Sequence, residues 1–271
     1  MKRISSFAIE HPVPFGVVVT FAFILMVIVS GILGNLWPGE DIYGQPGGIL
    51  GRLISIVILL ILLSRLGWLQ SAGLMRFGKS GIWVISVLYL AYSVAGYLYA
   101  LTGKFSFSIR APSVLVTTFI LTQSFMEEIV FRGLILQALV RVWGSTRIGI
   151  LKSVLVSALF FCSIHLFDLL SGRPASAVLL QSLQAYFLGI LLGALVLSGK
   201  SIYPAVLLHG ILNISGYLLI RSTGLEPTAS SWLLLSILMI PPAVLGLYAL
   251  SSVHARMVPE HAGVRKDLLN S

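Results

Sequence analysis

The chain has 271 residues, of which 57% are hydrophobic and only 10% are charged. Soluble domains carry about 25% charged residues, so this composition excludes a soluble globular protein and indicates an integral membrane protein. A single cysteine, Cys162, excludes an intramolecular disulfide framework and any paired-cysteine zinc or redox motif. The net charge of +9 is scattered at the ends of apolar runs, which argues against a nucleic-acid partner and is typical of membrane orientation.

Apolar runs of spanning length recur along the whole chain. A transmembrane helix needs about 20 predominantly apolar residues, and runs of that kind, bounded by charge, Gly or Pro, predict an all-α, polytopic membrane bundle of about eight transmembrane helices. The first run is too long for a signal-peptide core and lacks a small-residue cleavage site, so it is predicted to span. The predicted spans are 15–36, 48–70, 81–102, 113–141, 150–170, 176–198, 202–221 and 231–252.

The distribution of polar residues predicts orientation and domain organisation. With the N-terminus inside, thirteen of the 18 Lys and Arg residues fall on inner loops and helix ends, which predicts a multi-pass protein of the plasma membrane with both termini cytoplasmic. Polar residues that are anomalous within apolar helices all follow position 120. We therefore predict scaffold helices in 1–110, a catalytic membrane core in 111–255 and a polar cytoplasmic tail in 256–271.

Two adjacent acids occur in the middle of the fourth predicted helix. An ionised side chain near the membrane centre costs at least about 2.5 kcal/mol, so Glu127 and Glu128 are candidates for a functional site. The spacing of Glu128 and Arg132 predicts an ion pair on one helix face, whereas Glu127 points elsewhere and is predicted to lack a local partner. Glu127 is therefore the candidate general base for water. The alternative is a structural polar seam between helices.

Two further helices carry the other candidates. His165 lies four residues after Phe161, and His209 and Asn213 are four apart, so each pair shares one face of its helix. His209 and Asn213 could donate hydrogen bonds to the oxyanion of a tetrahedral intermediate, or these polar residues could simply bond neighbouring helices. At about 1.5 Å rise per residue, all four candidates can share one layer of the membrane.

A metal site is the other arrangement that these residues allow. Glu127, His165 and His209 would give zinc a carboxylate, two imidazoles and an open water position. No helix presents the paired histidines of an H-E-x-x-H motif, and Asn213 beside His209 is a better oxyanion donor than a zinc ligand. We favour a mechanism without a metal and with no other cofactor, and zinc is the alternative.

Three short motifs, in order and on three predicted helices, resemble the CPBP family of intramembrane proteases. They are Glu127-Glu128-x-x-x-Arg132-Gly133, Phe161-x-x-x-His165 and His209-x-x-x-Asn213. The family includes the CAAX prenyl endopeptidases of the Ras-converting-enzyme type, the lysostaphin-resistance proteins and the abortive-infection proteins. The resemblance covers about residues 110–215.

The resemblance implies an intramembrane endopeptidase with a helical membrane fold. It implies that Glu127 activates water, that His165 assists, and that His209 with Asn213 stabilises the oxyanion, with Glu128 and Arg132 in support. The expected partners are the lipid bilayer and a protein or lipopeptide substrate, prenylated or not, that reaches the site laterally. The alternative is a non-enzymatic membrane immunity or regulatory protein that binds a partner. A proton-coupled transporter is disfavoured because no internal repeat is visible.

Overall fold

The structure is a computed structural model that describes residues 2–39, 43–78, 112–223 and 228–250. It also describes nine single residues between these ranges, 81, 83, 84, 86–88, 91, 92 and 95. The regular elements of these residues are helical. They are α1 (Lys2–Glu10), α2 (Pro12–Leu36), α3 (Pro46–Arg65), α4 (Val114–Trp143), α5 (Arg147–Ser171), α6 (Ala175–Gly199), α7 (Tyr203–Thr223) and α8 (Ala229–Leu250). Most of the predicted span 81–102 and the predicted tail 256–271 lie outside the described residues.

The predicted membrane bundle is confirmed, and its predicted helix limits agree closely with the structure. Helices α2 to α6 are long and apolar enough to cross a membrane. Helices α7 and α8 coincide with the seventh and eighth predicted spans. The count of eight transmembrane helices stays a prediction, since five described helices meet the length and composition criterion.

Helix α1 was not predicted. It is short and amphipathic, with Ala8 buried and Ile4 and Phe7 exposed, and it packs on α2 and α4. A search for long apolar runs misses such a helix, because only one of its faces is apolar.

Local chemistry at the helix ends explains where several helices begin. Pro12 and Pro46 occupy the first turn of α2 and α3, where a missing N–H costs nothing. The hydroxyl of Ser113 accepts a hydrogen bond from the backbone N–H of Val116 and caps α4. The hydroxyl of Thr146 caps α5 in the same way, so α4 and α5 are joined by a tight turn and run antiparallel.

Helix α4 is the centre of the bundle and contacts α2, α3, α5 and α7. Its middle, Ile129–Ile135, is a wider π-helical segment in which every residue is buried. Helix α5 tightens to a 3₁₀-helix over Ile164–Ser171. Such departures from α geometry are frequent at functional sites, and here they adjoin Glu128 and contain His165. No pattern in the sequence predicts either departure.

Gly189 allows α5 and α6 to approach closely. A Cβ at this position would lie 3.0 Å from the Cβ of Ala158, closer than side chains normally pack. The small-residue spacing of Gly189 and Gly193 is the sequence feature that indicates close helix packing in membranes. As a result, the carbonyl of Gly189 lies 3.4 Å from a guanidinium nitrogen of Arg132.

Candidate active site

Helices α4 and α7 meet at two carboxylates and an imidazole. His209 Nδ1 lies 2.9 Å from Glu128 Oε1, and His209 Nε2 lies 3.5 Å from Glu127 Oε2. The exposed fraction is 7% for Glu127, 0% for Glu128 and 3% for His209. Three ionisable side chains therefore share one buried volume inside an apolar bundle, a costly arrangement that marks a functional site.

The predicted ion pair of Glu128 and Arg132 is present and fully buried. Arg132 Nη1 donates to Glu128 Oε1 at 2.8 Å, and the same oxygen faces His209. Beside a guanidinium Glu128 is a carboxylate, so it accepts the proton of His209 Nδ1, and Nε2 is the nitrogen turned toward Glu127. Among the described residues, Glu128 Oε2 has no hydrogen-bond partner.

The prediction that Glu127 lacks a local partner is wrong. Gln123 Nε2 donates to Glu127 Oε1 at 2.6 Å, and Gln123 Oε1 accepts from Arg52 Nε at 2.7 Å. The spacing of Gln123 and Glu127 places both on one helix face, and a neutral amide at that position is the partner that a pairing rule based on charge does not predict. Arg52 belongs to α3, so a residue of the predicted scaffold helices reaches Glu127 through Gln123.

The ring of Phe161 links the two histidines. Its centroid lies 5.6 Å from that of His165 and 5.5 Å from that of His209, with both imidazoles nearly perpendicular to it. The guanidinium of Arg132 stacks over the same ring at 4.4 Å. His165 interacts electrostatically with both Glu127 and His209. The structure therefore groups the motifs of α4, α5 and α7 around one aromatic side chain.

A second amide holds His165. Arg173 Nη1 donates to Gln181 Oε1 at 2.7 Å, which turns the NH₂ group of Gln181 toward His165 Nδ1 at 3.5 Å. Arg173 also donates to Asp168 at 2.7 Å. A neutral His165 that accepts at Nδ1 carries its proton on Nε2, and within the described part of the chain this buried nitrogen has no partner.

Asn213 lies one turn along α7 from His209. Its amide donates to the hydroxyl of Ser124 at 3.2 Å, and Ser124 itself lies one turn before Glu128 on α4. Asn213 is exposed, whereas His209 is buried. The two side chains lie one turn apart on α7, and the exposure of the helix increases from His209 to Asn213.

The residues predicted as alternative zinc ligands do not form a ready ligand set in this structure. In the ranges that the structure describes, no three histidine, cysteine or carboxylate side chains are grouped so that they could hold a metal ion. Glu127 and His209 are neighbours, whereas His165 and His209 lie on either side of a contact with the Phe161 ring. A mechanism without a metal stays a prediction.

The matched family agrees with the class that this site defines. The described helices form an apolar bundle in which carboxylates and histidines from three helices lie close together. Residues 109–215 match the family described as type II CAAX prenyl endopeptidase Rce1-like, which confirms the resemblance to the CPBP family over that part of the chain. No curated protein and no solved structure gives a significant match. Arg52 lies outside the matched residues.

Proposed function

We propose that the protein is an intramembrane endopeptidase in which Glu127 activates water to hydrolyse a peptide bond of a membrane-associated substrate. The convergence of His209 on Glu127 and Glu128, with His165 against the same Phe161 ring, carries the proposal. Interhelical packing alone does not require two acids and two imidazoles at one point of an apolar bundle. The match to a family of CAAX prenyl endopeptidases supports the same reaction class.

We infer a role for each side chain, and the site geometry supports these roles. Glu127 takes a proton from water as the water oxygen attacks the carbonyl carbon, and the peptide C–N bond then breaks as that proton passes to the leaving nitrogen. His165 assists by holding the attacking water through its Nε2 proton. Asn213 donates to the oxyanion that forms, and His209 donates to it from Nε2 when the ring is protonated, because its Nδ1 proton is already bonded to Glu128. Glu128, paired with Arg132, fixes the orientation of the His209 ring.

Lateral access from the membrane is consistent with the exposure of the α7 residues. Asn213 is exposed and His209, one turn away, is buried. A substrate segment that approaches beside Asn213 reaches His209 and then Glu127 without crossing the bundle. We therefore expect a peptide bond near the membrane-embedded end of a protein or lipopeptide to be cut, and a prenylated CAAX peptide is the first probe.

The test compares cells that produce the wild type with cells that produce Glu127→Gln or His209→Ala. Membrane-fraction proteins are compared for C-terminal fragments, and the purified proteins are offered a farnesylated CAAX peptide. Both variants should abolish every fragment that the wild type produces, while the exposed residues give matched controls, Glu10→Gln and His11→Ala, that leave cleavage unchanged. Identical fragment patterns in wild type and Glu127→Gln would reject proteolysis and favour a non-enzymatic regulatory protein.

We also propose a plasma-membrane location with both termini in the cytoplasm, based on the distribution of Lys and Arg. The turn between α4 and α5 then faces inward, and the end of α5 faces outward. Ser145 and Ser171 are exposed at these two ends. With Cys162 replaced by Ala, Ser171→Cys should react with an impermeant maleimide in intact cells, and Ser145→Cys should react only after permeabilisation. The reverse pattern would invert the topology.

A further inference from the structure

Arg52 is a buried cation whose place in the bundle the three family motifs do not explain. It lies in α3 with 7% of its surface exposed. A buried arginine in a membrane span is costly and needs a partner, and within the described residues no carboxylate contacts it directly. Its interaction with a carboxylate passes instead through Gln123 to Glu127.

The guanidinium of Arg52 is held rigidly. It stacks over the Phe119 ring, with Cζ 3.7 Å from the ring centroid, and Nη1 donates to the carbonyl of Gly48 at 2.9 Å. These two contacts fix the plane of the group, and Nε is left to donate to Gln123 Oε1 at 2.7 Å. Arg52 therefore presents one N–H bond to α4 in a fixed direction.

The direction of the hydrogen bonds is determined by the chemistry of Arg52. Because a guanidinium can only donate, the oxygen of the Gln123 amide must face Arg52 and the NH₂ group must face Glu127. Glu127 Oε1 then receives a donor at 2.6 Å, while Oε2 remains the oxygen that faces His209. We call the hydrogen bonds from Arg52 through Gln123 to Glu127 the relay. The relay determines which oxygen of the Glu127 carboxylate faces His209.

The relay also balances charge. Two carboxylates and two guanidinium groups occupy the cluster, since Arg132 pairs with Glu128 and Arg52 interacts electrostatically with Glu127. The groups that interact with Glu127 are Gln123 and Arg132 from α4, Arg52 from α3, His165 from α5 and His209 from α7. Arg52 is the cation that the relay connects to Glu127.

We propose that Arg52 is a positioning residue that acts through Gln123 to orient the Glu127 carboxylate for attack by water. The effect of Arg52 on catalysis rests on the proposed function. The orientation of Glu127 by Arg52 and Gln123 rests only on the hydrogen bonds. It assigns a role to a residue outside the matched domain. The rival interpretation is that Arg52 only anchors α3 to α4.

The catalytic test compares Arg52→Met, Gln123→Leu and their double variant on the substrate that the wild type cleaves. Each should lower kcat by roughly ten- to a hundredfold with KM within about twofold, since a misdirected catalytic group affects the chemical step. The double variant should be no worse than either single variant, because the two side chains act as one unit. Losses that multiply, or an unchanged kcat, would overturn the proposal.

Arg141→Met is the matched control. Arg141 also stacks on an aromatic ring, with Cζ 4.8 Å from the centroid of Trp68, and donates to Ser71 at 2.9 Å, but it has no contact with Glu127 or Gln123. This variant should lower the melting temperature in detergent and leave kcat unchanged. If Arg52→Met lowered kcat no more than Arg141→Met, Arg52 would be an anchor only.

An infrared measurement tests the structural part without a substrate. The carboxylate stretching band of Glu127 is identified by its loss in Glu127→Gln. It should shift in Arg52→Met and Gln123→Leu, by the same amount in the double variant, and not in Arg141→Met. An unchanged band in Arg52→Met would refute the relay. If the band shifts but no fragment depends on Glu127, the relay stands and the proposed function fails, which separates the two outcomes.

Discussion

The two neighbouring acids of α4 are paired with arginines in different ways. Glu128 contacts Arg132 directly, and both are essentially inaccessible. Glu127 reaches Arg52 only through the Gln123 amide and keeps one oxygen directed at His209. A direct pair fixes a charge in the structure, whereas an amide relay orients a carboxylate and leaves it available for proton transfer. In the proposed function, these two adjacent glutamates therefore have different roles, structural for Glu128 and chemical for Glu127, because their partners differ.

The largest expected effect comes from breaking the direct pair. Arg132→Met leaves a buried carboxylate without its cation, which costs about 3 to 5 kcal/mol of folding stability. Arg52→Met should cost clearly less, because Gln123 still donates to Glu127. Unfolding in detergent measures both. Equal losses of folding stability in Arg132→Met and Arg52→Met would show that the two arginines stabilise the protein in the same way.

Removing both partners of the direct pair should restore most of that stability. Replacing a buried ion pair with apolar side chains of similar volume is often neutral, so Glu128→Leu combined with Arg132→Met should unfold close to the wild type. Cleavage should still be lost, because His209 then has no acceptor for its Nδ1 proton. A double variant as unstable as Arg132→Met would contradict this account of the pair.

Gln181→Leu is expected to lower activity by several fold with a small loss of stability. The change removes the amide that faces His165 Nδ1, and it leaves Arg173 paired with Asp168. A hydrogen bond from such an amide determines which nitrogen of the His165 ring carries the proton, and it is not needed to keep the ring in place. The kcat and the melting temperature of the purified variant check the prediction, with Gln137→Leu as the control that lies away from both histidines. An equal loss of activity in the control would exclude a specific role.

Ser124→Ala should have the smallest effect. The change removes the interhelical hydrogen bond that the Ser124 hydroxyl accepts from Asn213. Such bonds contribute on average about 0.6 kcal/mol to the stability of membrane proteins. Released from Ser124, Asn213 remains free to donate to a substrate, so kcat should change little. A large fall in kcat would mean that Ser124 holds Asn213 in its working position.

The sequence predicted neighbouring side chains well where a local rule applied. The spacing of Glu128 and Arg132 predicts a pair on one helix face, and the pair is present at 2.8 Å. The shared face of Phe161 and His165 predicts contact, and their rings lie 5.6 Å apart. The long apolar run that carries Glu127 predicts one continuous helix to about residue 141, and α4 extends to Trp143.

The missed partners are those that depend on the arrangement of helices. Gln123 and Gln181 are common neutral residues, and Arg52 stands near the end of an apolar run, where arginine is expected for orientation alone. Nothing in the sequence indicates that the Arg52 side chain reaches across to α4. The sequence also does not predict the π-helical segment of α4 or the 3₁₀-helical end of α5. Both arise when helix packing overrides regular backbone hydrogen bonding.

The sequence by itself determined the apolar helices, their approximate limits and which polar side chains share a helix face, because these follow from transfer into lipid and from the period of the helix. Only the tertiary structure decided that Glu127 is connected to Arg52 by hydrogen bonds through Gln123, and that His165 and His209 both contact the Phe161 ring. Those contacts join residues far apart in the chain, and their geometry depends on how closely the helices pack.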